Sequence, residues 1–215
     1  MIGDICKLKQ EALDDARFVV NFVKDRGHLL AKFRELQLAF KIKKGLSLPV
    51  PTRWYTQFNC IANLLHNKVV VKNLIDTDEL TAIVEHQKTK NKTKFITLIK
   101  DDEFWGNLEI LKGNLEYPTS LIGKMERNNS DLSAIYDMFQ KLISHFEGTE
   151  DSELLCLVLE RWNFLHSESM GMAFILNPAN INKEMVGTDR QDSVDQLLNY
   201  IPKVYQDEEA IKWKK

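Results

Sequence analysis

The sequence predicts an all-α fold, an irregular array of about eight or nine packed helices. Three observations predict it. Apolar residues recur at spacings of three and four along nearly the whole chain, the period of a helix with one buried face. Glycine (9) and proline (5) are sparse among 215 residues, too few for the many turns of a β-sandwich. No segment alternates cleanly between apolar and polar residues. Only "FITLIK" (95–100) does so weakly, and it stays open between a short strand and a helix.

The elements follow in chain order. Leu13, Ala16, Val20 and Val23 share one helical face, and after Gly27 a second helix covers Leu29 to Phe40, ending in the basic "KIKKG". Gly45 with Pro49 and Pro51 makes a boundary, because proline removes a donor and restricts the residue before it. Thr52 is the N-cap candidate of the next helix, with Phe58, Ile61, Leu65 and Val69 expected on its buried face. "DTDE" (76–79) places acids in a first turn, where the helix dipole favours them. "HQKTKNKTK" (86–94) reads as a basic loop or frayed end. Asp101-Asp102 opens a helix through Trp105, Leu108, Leu111 and Leu115, which Pro118 should kink rather than end.

"NNSD" caps the clearest helix, with Leu132, Ile135, Tyr136, Phe139, Leu142, Ile143 and Phe146 on one stripe and Gly148 at its end. Asp151-Ser152 starts the next, with Leu155, Val158, Trp162 and Leu165 expected inward. "MAFILNP" (172–178) is a short apolar segment stopped by Asn177-Pro178. Gln191 to Ile201 forms a last helix before Pro202. One domain is expected over 1–205, with a sub-boundary near 45–51, followed by a charged tail at 206–215 that frays.

Composition excludes several classes. Hydrophobic residues at 44% and charged residues at 28% are those of a globular chain, not a disordered one. A formal net charge of −2 makes the whole chain no attractor of polyanions, so any nucleic-acid contact must come from a local patch. Cys6, Cys60 and Cys156 are isolated and form no disulfide framework, which points to a reducing, intracellular compartment. No signal-peptide pattern opens the chain, and no apolar run approaches the roughly 18 residues of a bilayer span. The sequons at Asn91 and Asn128 are accordingly expected to stay unmodified.

The chemistry of an enzyme is not written in the residues. No two glycines have the spacing of a phosphate-binding loop. His28, His66, His86, His145 and His166 are scattered, without ligand spacing to a cysteine or carboxylate, so no metal site is expected. Asp14-Asp15 and Asp101-Asp102 point to different sides of a helix. No catalytic residue and no small-molecule substrate site is assigned.

Three segments carry a resemblance. They are "LPVPTRWYTQFNCIANLL" (48–65), "FWGNLEILKGNLEYPTSLIGKMERNNSDLSAIYDMFQKLI" (104–143) and "LERWNFLHSESMGMAFILNPAN" (159–180). In this order they resemble the hAT family of DNA transposases and host proteins derived from it, over about residues 1–205. The family's zinc finger, RNase H-like catalytic domain, acidic triad holding Mg²⁺ or Mn²⁺, and dimerising C-terminal segment are not matched. The resemblance covers its helical insertion domain. "GDICKL" (3–8) is similar to the end of the stretch after the family's second catalytic Asp, and Asp4 is not that residue. The resemblance therefore implies a transposase fragment: a nuclear, DNA-end-contacting scaffold with no triad or cofactor of its own, no membrane association, and oligomerisation through segments outside this sequence. The alternative is a domesticated or decayed copy that serves as a protein–protein scaffold and does not bind DNA.

The implied DNA-binding residues are Arg53 and Trp54. In the family, the arginine–tryptophan pair at this place lies near the active site, its ring against an unstacked base. A second reading stands beside it: Thr52 caps, Arg53 is solvated and Trp54 covers the helix start. Arg161-Trp162 differs, because Trp162 falls on an apolar face and reads as core. "KIKKG" and "HQKTKNKTK" are the stretches whose charge could reach phosphates.

Overall fold

A computed structural model describes residues 2–50, 55–83, 91–127, 131–149, 151–185 and 187–205. Among the described residues the chain forms twelve α-helices, two 3-10 turns (Leu74–Asp76 and Pro178–Asn180) and no β-strand. The helices are α1 (Ile2–Leu8), α2 (Gln10–Lys24), α3 (Gly27–Ala39), α4 (Tyr55–His66), α5 (Lys68–Asn73), α6 (Asp78–Thr81), α7 (Asn91–Lys100), α8 (Asp102–Arg127), α9 (Leu132–Glu147), α10 (Ser152–Leu165), α11 (Glu168–Leu176) and α12 (Asp189–Tyr205). The all-α class is as expected. The count exceeds eight or nine because short helices such as α1 and α6 give little periodic signal. The chain divides into two compact units, Ile2–Thr119 and the residues from Ser120 onward, and α8 runs through the division. The stretch at 45–50 lies within the first unit.

In the first unit α2 packs against α3, α4 and α7. Leu13, Ala16, Val20 and Val23 are all fully buried, as their spacing predicts. The Phe22 and Phe95 rings stack with centroids 4.4 Å apart, and the Arg26 guanidinium sits 3.8 Å from the Phe22 centroid. That stack settles "FITLIK" as helix, because Phe95 and Ile99 are both buried one turn apart. Asn91–Lys94, expected within a loop, form the first turn of α7. Their polar groups have tertiary partners: Lys92 Nζ donates to the Thr81 and Ile83 carbonyls, and Lys94 pairs with Asp15 at 2.8 Å. Val69 is not on a buried face. The helix from Tyr55 stops at His66, and α5 buries Val70 and Val71 while leaving Val69 exposed.

α8 passes through Pro118 without ending, and Trp105, Leu108, Leu111 and Leu115 are fully buried. The Trp105 indole N–H donates to the Ile99 carbonyl at 3.0 Å, which satisfies the one polar group of a buried ring.

In the second unit α9 packs against α10 and α11, and α11 packs against α12. Asp131 and Asp151 cap α9 and α10, accepting from the Ala134 and Leu154 N–H groups. Tyr136 lies at the centre, fully buried, with the rings of Trp162 and Phe174 at 5.1 and 4.6 Å. Its hydroxyl donates to Asp189 Oδ2 at 2.7 Å. Trp162 is core, as expected, whereas Leu165 is 49% exposed. α10 ends at Leu165, and His166 takes the inward place, its ring 4.2 Å from Trp162. α12 continues past Pro202 to Tyr205. The proline deletes one N–H bond, to a carbonyl on the turn of exposed Leu198, and the helix survives that loss.

Candidate nucleic-acid interface

The stretch between α3 and α4 is built from both ends. α3 closes on Lys41, whose φ is 57°. The Lys41 N–H donates to the Leu38 carbonyl at 3.1 Å, and the Ile42 N–H reaches back to the Gln37 carbonyl at 2.9 Å. This pair of bonds usually has glycine at the left-handed position. Here a lysine occupies it, and its side chain is exposed.

From Ile42 to Val50 the backbone is not helical, yet the segment is tied to α3 and to residues of and just after α4. The Lys44 carbonyl accepts from Asn67 Nδ2 at 2.8 Å and from Gln37 Nε2 at 3.0 Å. Ser47 Oγ accepts from Asn63 Nδ2 at 2.8 Å. The Thr56 hydroxyl accepts from the Val50 N–H at 2.7 Å and donates to the Val50 carbonyl at 3.2 Å. As the segment ascends through 44, 47 and 50, its partners descend through 67, 63 and 56. The segment therefore runs antiparallel beside α4, a length of about 18 Å at 1.5 Å per residue.

Asn67 is the hub of this array. It is fully buried; its Oδ1 accepts from Gln37 Nε2 at 2.7 Å, and its Nδ2 also donates to the Asn63 carbonyl at 2.7 Å. A buried amide with its hydrogen bonds made fixes backbone position in a way that apolar packing does not. Asn63 Oδ1 is the exception, buried with no partner among the described residues.

The electrostatics single out the same place. Ile2–Thr119 holds nineteen Lys and Arg against fifteen Asp and Glu, whereas Ser120–Lys215 holds ten against sixteen. The balance of −2 thus hides a basic unit and an acidic one. From Leu36 to Ile75 the chain contains no acidic residue and six basic ones. Two of the six are committed within the unit: Lys68 pairs with Glu109 at 3.4 Å, and Lys72 with Asp102 at 3.1 Å. Lys41, Lys43 and Lys44 are exposed and make no ion pair among the described residues.

Two cavities have the opposite character. A groove of about 410 Å³ in the first unit is lined by Glu11, Asp15, Asp101 and Glu103 with Lys9. A cleft of about 360 Å³ in the second unit is lined by Glu168, Asp189, Asp192 and Asp195 around His166. Both repel a polyanion. Burial pushes the thiols of Cys6 and Cys60 up to about 11, so neither is a nucleophile near neutral pH. Among the described residues no group of three or more His, Cys, Asp or Glu could hold a metal ion, and no helix is long and apolar enough to cross a membrane.

Thr52, Arg53 and Trp54 lie outside the described residues, as do 86–90 of "HQKTKNKTK", Asn128 and the tail at 206–215. The residues flanking the first group are described: Val50 and Thr56 are the pair joined by the Thr56 hydroxyl. The anchoring amides Gln37, Asn63 and Asn67 were not expected from the sequence. The acid-free window from Leu36 to Ile75 is the signal that would have marked their neighbourhood. None of the known protein families, curated proteins or solved structures compared with this chain matches it.

Proposed function

We propose that this chain is a nucleic-acid-contacting helical scaffold, similar to the insertion domain of a hAT transposase, that binds DNA through the segment from Lys41 to Trp54 and carries no cutting chemistry of its own. The observation that supports this most is the tied segment. Three lysines with no ion pair among the described residues stand on a backbone anchored at Lys44, Ser47 and Val50 and lead in sequence to Arg53-Trp54. Charge held on a fixed backbone loses little entropy when it meets phosphates. In this reading Arg53 contacts phosphate and Trp54 stacks on a base. The nucleus is the compartment the resemblance implies, and the catalytic carboxylates with their Mg²⁺ or Mn²⁺, together with any oligomerising segment, belong to parts of a transposase other than this chain.

A second reading has its own support. Phe164, Ile181, Leu176 and Leu198 of the second unit are 60% exposed or more. Apolar surface of this kind suits a protein partner, as a transposase-derived interaction scaffold that does not bind DNA would require.

Fluorescence anisotropy with a labelled DNA duplex separates the two. The first reading expects binding that weakens with salt and falls at least tenfold in Lys43→Glu/Lys44→Glu, with helicity unchanged by circular dichroism. Absence of salt-sensitive binding in the unaltered chain, to the duplex and to its separated strands alike, would leave only the second.

A further inference from the structure

We infer that the ligand of this segment is a single strand of nucleic acid, held by stacking on Phe40 and Tyr55 as well as by charge. The inference rests on the DNA-contacting reading above and adds the strand state and two residues that reading does not use.

Both rings are exposed, Phe40 by 42% and Tyr55 by 54%. Phe40 immediately precedes Lys41, and Tyr55 immediately precedes Thr56, which holds Val50. The antiparallel run places them toward opposite ends of α4, with the Lys41–Lys44 charges near the Phe40 end. Leu38 and Val50 add apolar surface, at 80% and 44% exposure. In chain order the exposed side chains are Leu38, Phe40, the three lysines, Val50 and Tyr55, with the two rings toward opposite ends of the roughly 18 Å of α4.

Duplex DNA offers such a surface only its phosphates, because its base faces are stacked inside, and the exposed rings would gain nothing. An unpaired strand offers both parts, phosphates for the lysines and a π-face on every base for the rings. Stacking of this kind tolerates any base, so binding should depend little on sequence. Tyr55 and Phe40 are also cheap to use: each has only two rotatable side-chain bonds, and the backbone on which they sit is fixed, at one end by the turn at Lys41 and at the other by the Thr56–Val50 pair. DNA and RNA strands share this chemistry and differ in the 2′-hydroxyl.

The test is anisotropy on the full chain with oligodeoxythymidine and oligouridine of about 16 nucleotides, and with a duplex of the same length. Single strands should bind at least tenfold more tightly than duplex, and whichever of DNA or RNA binds better identifies the preferred sugar. Phe40→Ala and Tyr55→Ala should each weaken single-strand binding about five- to hundredfold and leave duplex binding unchanged. Phe40→Leu keeps the apolar bulk without the ring, so it should show the same loss with an unchanged melting temperature. Equal affinity for strand and duplex, or single-strand binding indifferent to all three variants, would overturn the inference while leaving DNA contact intact. Failure to bind any of the three nucleic acids would overturn both.

Discussion

Asn67 Nδ2 lies 2.8 Å from the Lys44 carbonyl, across twenty-three residues of sequence. With Gln37 on its Oδ1, the side chain makes three hydrogen bonds in a site from which water is excluded. Asn67→Leu would leave one of the two Gln37 amide N–H bonds without its acceptor and reduce the hold on the Lys44 carbonyl to Gln37 alone. It should cost about 2–4 kcal/mol, the penalty for buried groups left without partners. Chemical denaturation measures this. A loss under 1 kcal/mol would mean that the array is not what fixes the segment.

Lys41 holds a left-handed conformation that disfavours a side chain. Lys41→Gly should therefore raise stability by up to about 1 kcal/mol while removing one cation from the proposed interface. Stability and nucleic-acid affinity should move in opposite directions, and a thermal melt beside a binding curve reads both.

Gly171 of α11 faces Ser193 of α12. A Cβ at 171 would stand 2.0 Å from Ser193 Oγ and 3.3 Å from its Cβ. In an open helix Gly→Ala gains about 1 kcal/mol. Here Gly171→Ala should instead cost about 1–3 kcal/mol by overpacking. Ser193→Ala in the same chain should recover part of the loss, which a double-mutant cycle detects as coupling.

Much of this fold is legible in the sequence because most helices carry their own stripe. α9 shows Tyr136, Phe139, Leu142, Ile143 and Phe146 buried as spaced, with Asp131 as its cap. The misses occur where tertiary contact outweighs local signal. Asn91–Lys94 are polar enough for a loop, but Asp15, Thr81 and Ile83 supply partners. Leu165 has the right spacing to be inward, yet His166 takes that place against Trp162. At the proposed interface, "KIKKG" is visible as charge. Its anchoring is not, because Gln37, Asn63 and Asn67 reach backbone and hydroxyl groups far along the chain, and no period in the sequence encodes that pairing.

Asp137 bridges Lys141 of its own helix and Lys183 of the segment before α12. Burial opposes its ionisation, but the hydrogen bonds and charges of the two lysines outweigh that effect and hold the carboxyl below its ordinary range. A depressed carboxylate contributes stability above its unfolded pKa and loses it as pH falls through the folded value. Asp137→Asn should lower the melting temperature at pH 7, and the difference should shrink below about pH 4. A difference independent of pH would show that the pair of lysines does not stabilise the charged form.

The salt dependence of duplex DNA binding bears most directly on the proposed role of Lys41, Lys43 and Lys44. If all three meet phosphates, replacing them together with glutamine should weaken binding. It should also reduce the slope of log K against log salt by about 2 to 3, close to one released counterion for each lost contact. An unchanged slope, or a chain whose binding does not respond to salt at all, would contradict that role.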